Sequence, residues 1–231
     1  MKLIGKITGF LELMRILHLT FSMPIAIAAT FMATNGMPEI MTVTIVALAT
    51  GFNHIGGHVM NDFFDKEMDS KNPRTMERAI PSGRVKPLEA LIFALFSFIL
   101  AFSLNIICFM IAIIGAIIAL LYSSQLKQRN IWGTISCGFV TAMPVFFGWL
   151  AVKQPTPATY ILFLIIFFWE MGHNVLAAAT DYTYDKKINV NTLPVKIGMK
   201  NSSIYVLLCY FRQLTINNLP EYGFYSDIPL R

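Results

Sequence analysis

The sequence predicts an all-α, polytopic transmembrane helical bundle, and three observations carry that prediction. The 231-residue chain is 55% hydrophobic and 13% charged, whereas soluble domains carry about 25% charged residues. Its apolar runs are long and continuous, and a backbone in lipid must satisfy its own polar groups, which selects helices. Its basic residues gather in alternate connections, as the loops on one side of a membrane do. The length suits one bundle rather than several domains.

Six spans follow, at about 13–34, 40–60, 88–104, 107–122, 131–151 and 159–180. The first apolar run, Ile16 to Thr34, exceeds the roughly 7–15 residues of a signal-peptide core and is expected to stay as the first helix. Pro24 and Pro144 fall inside spans, where neighbours can re-satisfy the backbone. The second span ends in Gly51, Gly56 and Gly57, which permit close packing or a loosened end beside a cavity. The third and fourth are short and turn at Asn105. A seventh run, 203–211, is too short to cross, since roughly 20 residues are needed. Gln213 to Arg231 is polar and reads as a disordered or aberrant tail. The chain thus divides into a membrane unit, 1–200, and an atypical tail, 201–231, that contributes little to packing. Cys108, Cys137 and Cys209 show no metal or disulfide spacing and read as small hydrophobes.

Charge sets the orientation. One side carries Lys2, Lys6, Lys66, Lys71, Arg74, Arg78, Arg84, Lys86, Lys127, Arg129, Lys186, Lys187, Lys196 and Lys200, and the other only Lys153. The N-terminus and the loops after spans two, four and six therefore face the cytoplasm of the cell (inner) membrane. The net charge of +5 is topological. No separate basic domain exists to bind nucleic acid.

Two acidic clusters end membrane spans on that same side. One is Asn61-Asp62-Phe63-Phe64-Asp65-Lys66-Glu67-Met68-Asp69, and the other is Asp181-Tyr182-Thr183-Tyr184-Asp185. Asn61, Asp65 and Asp69 are spaced i, i+4, i+8, so a helix puts them on one face. Asp181 and Asp185 repeat the spacing. Solvated loop ends would need no such rule. A divalent cation would, and Mg²⁺ prefers a few carboxylates together with phosphate oxygens. A diphosphate alone would be repelled: unit charges about 4 Å apart interact by about 4 kcal/mol at an effective dielectric near 20. Mg²⁺ reverses that sign, and arginines such as Arg74 and Arg78 can grip phosphate bidentately. A neutralised diphosphate is a good leaving group, and an allylic cation left behind needs dry, aromatic walls.

Four blocks carry a resemblance. They are Asn61-Asp62-x-x-Asp65-x-x-x-Asp69 with Asn72-Pro73-Arg74-Thr75-x-x-Arg78-Ala79-Ile80-Pro81-Ser82-Gly83, then Tyr122-Ser123-x-x-Leu126-Lys127, then Asp181-x-x-x-Asp185, then Thr192-Leu193-Pro194-Val195-x-x-Gly198. In this order they resemble the UbiA-type superfamily of intramembrane prenyltransferases, over about residues 11 to 200. The first helix, with His18-Leu19-Thr20-Phe21-Ser22-Met23-Pro24, is similar to the 4-hydroxybenzoate and menaquinone-pathway branches. The resemblance implies a bundle whose central cavity opens to the cytoplasmic side. It also implies Mg²⁺-dependent transfer of a prenyl group from a prenyl diphosphate to a small, usually aromatic, acceptor, as in quinone biosynthesis. By matching position, Asn61, Asp65, Asp69, Asp181 and Asp185 are expected at the metal and catalytic site. Arg74, Arg78, Tyr122 and Lys127 are expected near the diphosphate, with Asn61. Asp62 fits either the metal's surroundings or a loop carboxylate, and Tyr122 fits either a ligand or an interface anchor. Family members carry about nine spans, so a chain with six is expected to be incomplete, with a cavity open along one side. Hydrolysis would then outrun transfer.

Other readings compete. An ion-coupled transporter or channel could use the acids as a cation path, but its acids belong near the midplane. Only Glu170 lies there, with His173 and Asn174 on its face. It serves either acceptor binding or a structural hydrogen bond. A non-catalytic remnant of the enzyme is the third reading. Arg15, near the end of the first span, reads as a snorkelling side chain.

Overall fold

The computed structural model describes residues 2–103 and 131–217, with positions 110, 113, 114, 117, 118 and 121 between them. Among these residues the chain is helical, in the order α1 (Lys2–Leu13), α2 (Ile16–Thr34), α3 (Ile40–Asp69), α4 (Pro87–Ser103), α5 (Ile131–Leu150), α6 (Pro157–Thr180), α7 (Tyr182–Lys187), α8 (Leu193–Ile197) and α9 (Met199–Asn217). Four stretches are long and apolar enough to cross a membrane, and Pro87–Phe102 is a shorter apolar helix. Most of the expected fourth span, 107–122, lies outside the described residues.

The expected first span is α2, and a separate helix, α1, precedes it. Arg15 takes a left-handed backbone, φ 45° and ψ 54°, and this breaks α1 from α2. Helix α1 exposes Leu3, Ile4, Ile7 and Leu11 along one side. On its other side Lys6 pairs with Glu89 at 2.8 Å, and Glu12 accepts from Arg84 and from the Ala79 amide. The basic connection 70–86 is thereby clamped to α1. Ala79, Ile80 and Val85 from this connection join Leu13, Val59 and Phe98 in one buried cluster.

Small residues set the helix spacing, as expected where lipid offers no hydrophobic drive between helices. A methyl at Gly148 of α5 would collide with the Ala26 carbonyl of α2. Thr30 spans the same contact, donating to the Ala26 and Gly148 carbonyls at 2.9 and 3.1 Å. Gly138 brings α5 within reach of α6, where a Cβ would stand 2.9 Å from the Phe167 carbonyl. Gly56 gives room to the Phe98 ring of α4, whereas a Cβ at Gly57 would meet nothing within 4 Å. Gly56 thus serves close packing, while α3 runs unbroken through Gly57 to Asp69, so the helix end is not loosened there.

Helix α9 corrects the tail. Residues 201–231 were expected to contribute little to packing, yet α9 lies along α6, with Ser202, Val206 and Cys209 buried. Gly172 of α6 makes the space that Tyr210 and Cys209 fill. A run too short to cross a membrane can still bury one face against a neighbour. Residues 218–231 lie outside the described residues. A cavity of about 330 Å³ opens where α2 turns into α3, lined by Thr34, Met37, Pro38, Glu39, Thr42 and the end of α5. It lies at the opposite end of the bundle from the acidic clusters.

Candidate active site

Helix α3 continues well past the expected span, to Asp69. This projects Asn61, Asp65 and Asp69 from one face, and Asn61 Nδ2 donates to Asp65 Oδ2 at 3.0 Å. Asp62, Asp65 and Asp69 are only 5%, 4% and 7% exposed. Carboxylates this buried need partners. Arg15 Nη2 donates to Asp62 Oδ1 at 2.6 Å. Arg78 Nη1 donates to Asp69 Oδ2 at 2.8 Å and lies 3.6 Å from Asp62 Oδ1. Arg15 is therefore no free snorkeller. Its left-handed backbone turns the side chain back onto α3.

The second cluster stands where α6 turns into α7. Asp181 joins the two helices, and Arg74 holds it with both prongs, Nε to Oδ1 at 2.7 Å and Nη2 to Oδ2 at 2.5 Å. Asn72 Nδ2 donates to the same Oδ1 at 3.5 Å, and its own Oδ1 accepts from the Arg74 amide at 3.0 Å. Asp185 is buried in α7 and accepts from Thr192 Oγ1 at 3.3 Å. The Arg74 pKa is raised, first by its bond to Asp181, against a lowering by burial, and further by the charges of Asp181, Asp69 and Asp185. One guanidinium thus feels both clusters.

The structure therefore brings Asn61, Asp65, Asp69, Arg74, Arg78, Asp181 and Asp185 to one end of the bundle. Tyr122 and Lys127 lie outside the described residues. Asp62 sits on α3, not in a loop. Glu170 accepts from Cys137 Sγ at 3.3 Å, across the α5–α6 contact. Among the described residues no three acidic, histidine or cysteine side chains are placed to hold one metal ion. Mg²⁺ does not demand that, since it takes one or two carboxylates per ion and fills its shell with water and phosphate oxygens. The paired oxygen donors of the two clusters fit it.

Sequence reasoning passed over a second group just inside this layer. The His18 and His58 rings stand 5.4 Å apart, and those of His54 and His58 4.3 Å apart. Ser22 Oγ and His54 Nδ1 are 3.0 Å apart. Trp169 stacks on His173 at 5.5 Å and meets Phe21 at 5.7 Å. The signal was present: His54, His58, Asn61 and Asp65 fall on one helical face, and a polar stripe in an apolar span marks function.

A model described as the UbiA prenyltransferase family matches residues 22–220, past the Gly198 where the sequence resemblance was expected to stop. Digeranylgeranylglyceryl phosphate synthase of Pyrococcus furiosus is 30% identical over 219 residues, covering 93% of this chain and 78% of that protein. Protoheme IX farnesyltransferase of Methylococcus capsulatus is 29% identical over 201 residues, covering 83% of this chain and 65% of that protein. The solved structure of a UbiA homolog from Archaeoglobus fulgidus bound to DMAPP and Mg²⁺ shares the fold, with a TM-score of 0.75 and 17% identity over 90% of this chain and 76% of that one.

Proposed function

The chain belongs to the UbiA prenyltransferase family, and on that premise we propose that it transfers a prenyl group from a prenyl diphosphate to an acceptor within the membrane. One observation carries the reading. Arg74, in the connection that follows the first acid cluster, binds Asp181 of the second with both prongs at the end of the membrane helices. Carboxylates for a cation and arginines for phosphate stand there in one layer.

The roles divide by chemistry. Asp65, Asp69, Asp181, Asp185 and Asn61 would hold Mg²⁺. When bound, Mg²⁺ supplies charge neutralisation to the diphosphate. Arg74 and Arg78 release carboxylates and take diphosphate oxygens, which stabilises the oxyanion as the carbon–oxygen bond breaks. Tyr122 and Lys127 join them by motif. Phe139, Phe146, Phe163 and Phe167 form a run of ring contacts between α5 and α6, a dry wall for a prenyl tail.

The acceptor in this reading is a small aromatic molecule, as in quinone or related lipid biosynthesis. Support comes from Phe21, Trp169 and His173, whose rings stand together between α2 and α6. By the basic-residue bias, that layer faces the cytoplasm. The test is incubation of membranes carrying the chain with labelled prenyl diphosphates, with and without Mg²⁺. Aromatic acids, a protoheme and a prenylated glycerol phosphate serve as acceptors. Mg²⁺-dependent consumption of the donor is expected. Absence of turnover with every donor and acceptor overturns the proposal.

A further inference from the structure

We infer that α1 lies flat in the leaflet on the acid-layer side, with Leu3, Ile4, Ile7 and Leu11 among its acyl chains, and that from this seat Glu12 positions Arg78. The surface assignment stands apart from the prenyl-transfer reading, and the positioning role rests on that reading.

Helix α1 has two opposed faces. Leu3, Ile4, Ile7 and Leu11 are 72%, 68%, 52% and 48% exposed, and their spacing of i, i+1, i+4 and i+8 puts them on one stripe. The other face is packed. A Cβ at Gly9 would stand 2.8 Å from Val85 Cγ2. The Phe10 ring meets Phe93 of α4 edge-on at 5.2 Å, and Leu13 is fully buried. The helix is thus fixed on the protein with its aliphatic side turned away from it.

A lipid leaflet is the occupant that this position favours. Twelve residues are too few to cross a bilayer, which needs roughly 20. The left-handed Arg15 breaks the helix, so α1 does not extend the first span. Only Met14 and Arg15 separate it from Ile16, where that span begins, so α1 stays at the membrane surface. Its exposed stripe is aliphatic, without the Trp, Tyr or Arg anchors that carry protein interfaces. Charge names the lipid. Residues 2–13 and 70–89 carry seven lysines and arginines against three glutamates, and Lys71 and Lys86 are exposed. An aliphatic face beside basic side chains fits an anionic leaflet.

Glu12 carries this seat to the acid layer. Its Oε1 accepts from the Ala79 amide at 3.1 Å, and its Oε2 accepts from Arg84. Ala79 follows Arg78, whose Nη1 donates to Asp69 Oδ2 at 2.8 Å. The backbone that presents the Arg78 guanidinium is therefore tied to a helix that rests on lipid. Glu12 is a positioning residue and acts through Arg78.

The test of the seat uses the full chain, made cysteine-free, in phosphatidylglycerol vesicles. Nitroxide labels are attached after Ile7→Cys, on the stripe, and after Gly5→Cys, away from it, where a Cβ meets nothing within 4 Å. The label at position 7 should collide with dissolved oxygen and the label at position 5 with a water-soluble nickel complex. Phosphatidylcholine vesicles should reduce the oxygen contact at position 7. A label at position 7 that meets nickel as freely as the one at position 5 overturns the inference. One shielded from both reagents reveals a protein cover and overturns it too. Equal oxygen contact in the two lipids overturns the anionic assignment. The test of positioning reads Mg²⁺-dependent binding of labelled geranyl diphosphate. Glu12→Ala should weaken it about 10-fold, the scale of one lost charge-assisted hydrogen bond. Glu12→Gln keeps an oxygen for the Ala79 amide and should recover most of the loss. Ile4→Asn/Ile7→Asn leaves Glu12 in place and should weaken binding in the same direction. Unchanged binding in Glu12→Ala, or equal losses in Glu12→Ala and Glu12→Gln, overturns the positioning role. Unchanged binding in Ile4→Asn/Ile7→Asn overturns its dependence on the lipid seat. A wild-type chain that binds no diphosphate defeats the prenyl-transfer reading, while the labels still decide where α1 lies.

Discussion

Removing the Asp181 carboxylate separates stability from function at this site. Asp181→Ala deletes both acceptors of the Arg74 fork, at 2.7 and 2.5 Å. The stability cost is small, because the Arg74 side chain is 52% exposed and that of Asp181 19%. Pairs of that exposure contribute about 1 kcal/mol or less. For a chain of this size such a loss lowers the melting temperature by about 2–4 °C. The functional cost is larger. Asp181 is one of the few oxygens that would hold a cation against the diphosphate, and a lost charge-stabilising contact at a reacting oxyanion costs about 10²–10³ in rate. The assay pairs a thermal melt of the purified chain with binding and turnover of labelled geranyl diphosphate, with Mg²⁺ and with a chelator. The expected result is a near-native melt, Mg²⁺-dependent binding reduced at least 10-fold, and turnover reduced about 100-fold. Donor binding that survives both the substitution and the chelator refutes the reasoning, since the acid layer would then have no part in holding diphosphate.

Further expectations follow from the same structure. Asp65→Ala should also abolish Mg²⁺-dependent donor binding, whereas Asp65→Glu should retain part of it, as a titration with labelled donor would report. Gly148→Val places side-chain carbons against the Ala26 carbonyl and should destabilise the α2–α5 contact by about 1–3 kcal/mol; an unchanged melt contradicts the packing. Glu12→Ala removes the contacts of α1 with Arg84 and the Ala79 amide, so limited proteolysis within 70–86 should quicken. A single cysteine at position 71 in a cysteine-free chain should be labelled by a membrane-impermeant reagent only from the cytoplasmic side, and labelling from outside reverses the orientation.

Periodicity made the helices legible, and the i, i+4 spacing of the acids made half of the site legible. A helix through Asp69 is what that spacing requires. Two things were not readable. The break at Arg15 depends on a left-handed residue that its apolar flanks do not announce, and with it went the Arg15–Asp62 pair. Helix α9 was missed because hydropathy measures the ability to cross lipid, whereas Val206 and Cys209 need only bury one face on α6. The histidine stripe was visible as residues but not as a group. His18, His54 and His58 meet only when α2 and α3 pack, and no local pattern encodes that contact.

The arginine–carboxylate layer has a consequence for how ligands would leave. Asp62, Asp69 and Asp181 are already paired with Arg15, Arg78 and Arg74, so on the proposed reading an incoming diphosphate with its cations would displace existing partners. Binding is then a swap, and its free energy is the difference between two sets of contacts rather than the sum of one. Once the prenyl carbon had gone, the carboxylates would reclaim Arg74 and Arg78. A layer built this way would resist product inhibition, because the free diphosphate would compete with groups that are held at high local concentration and never diffuse away.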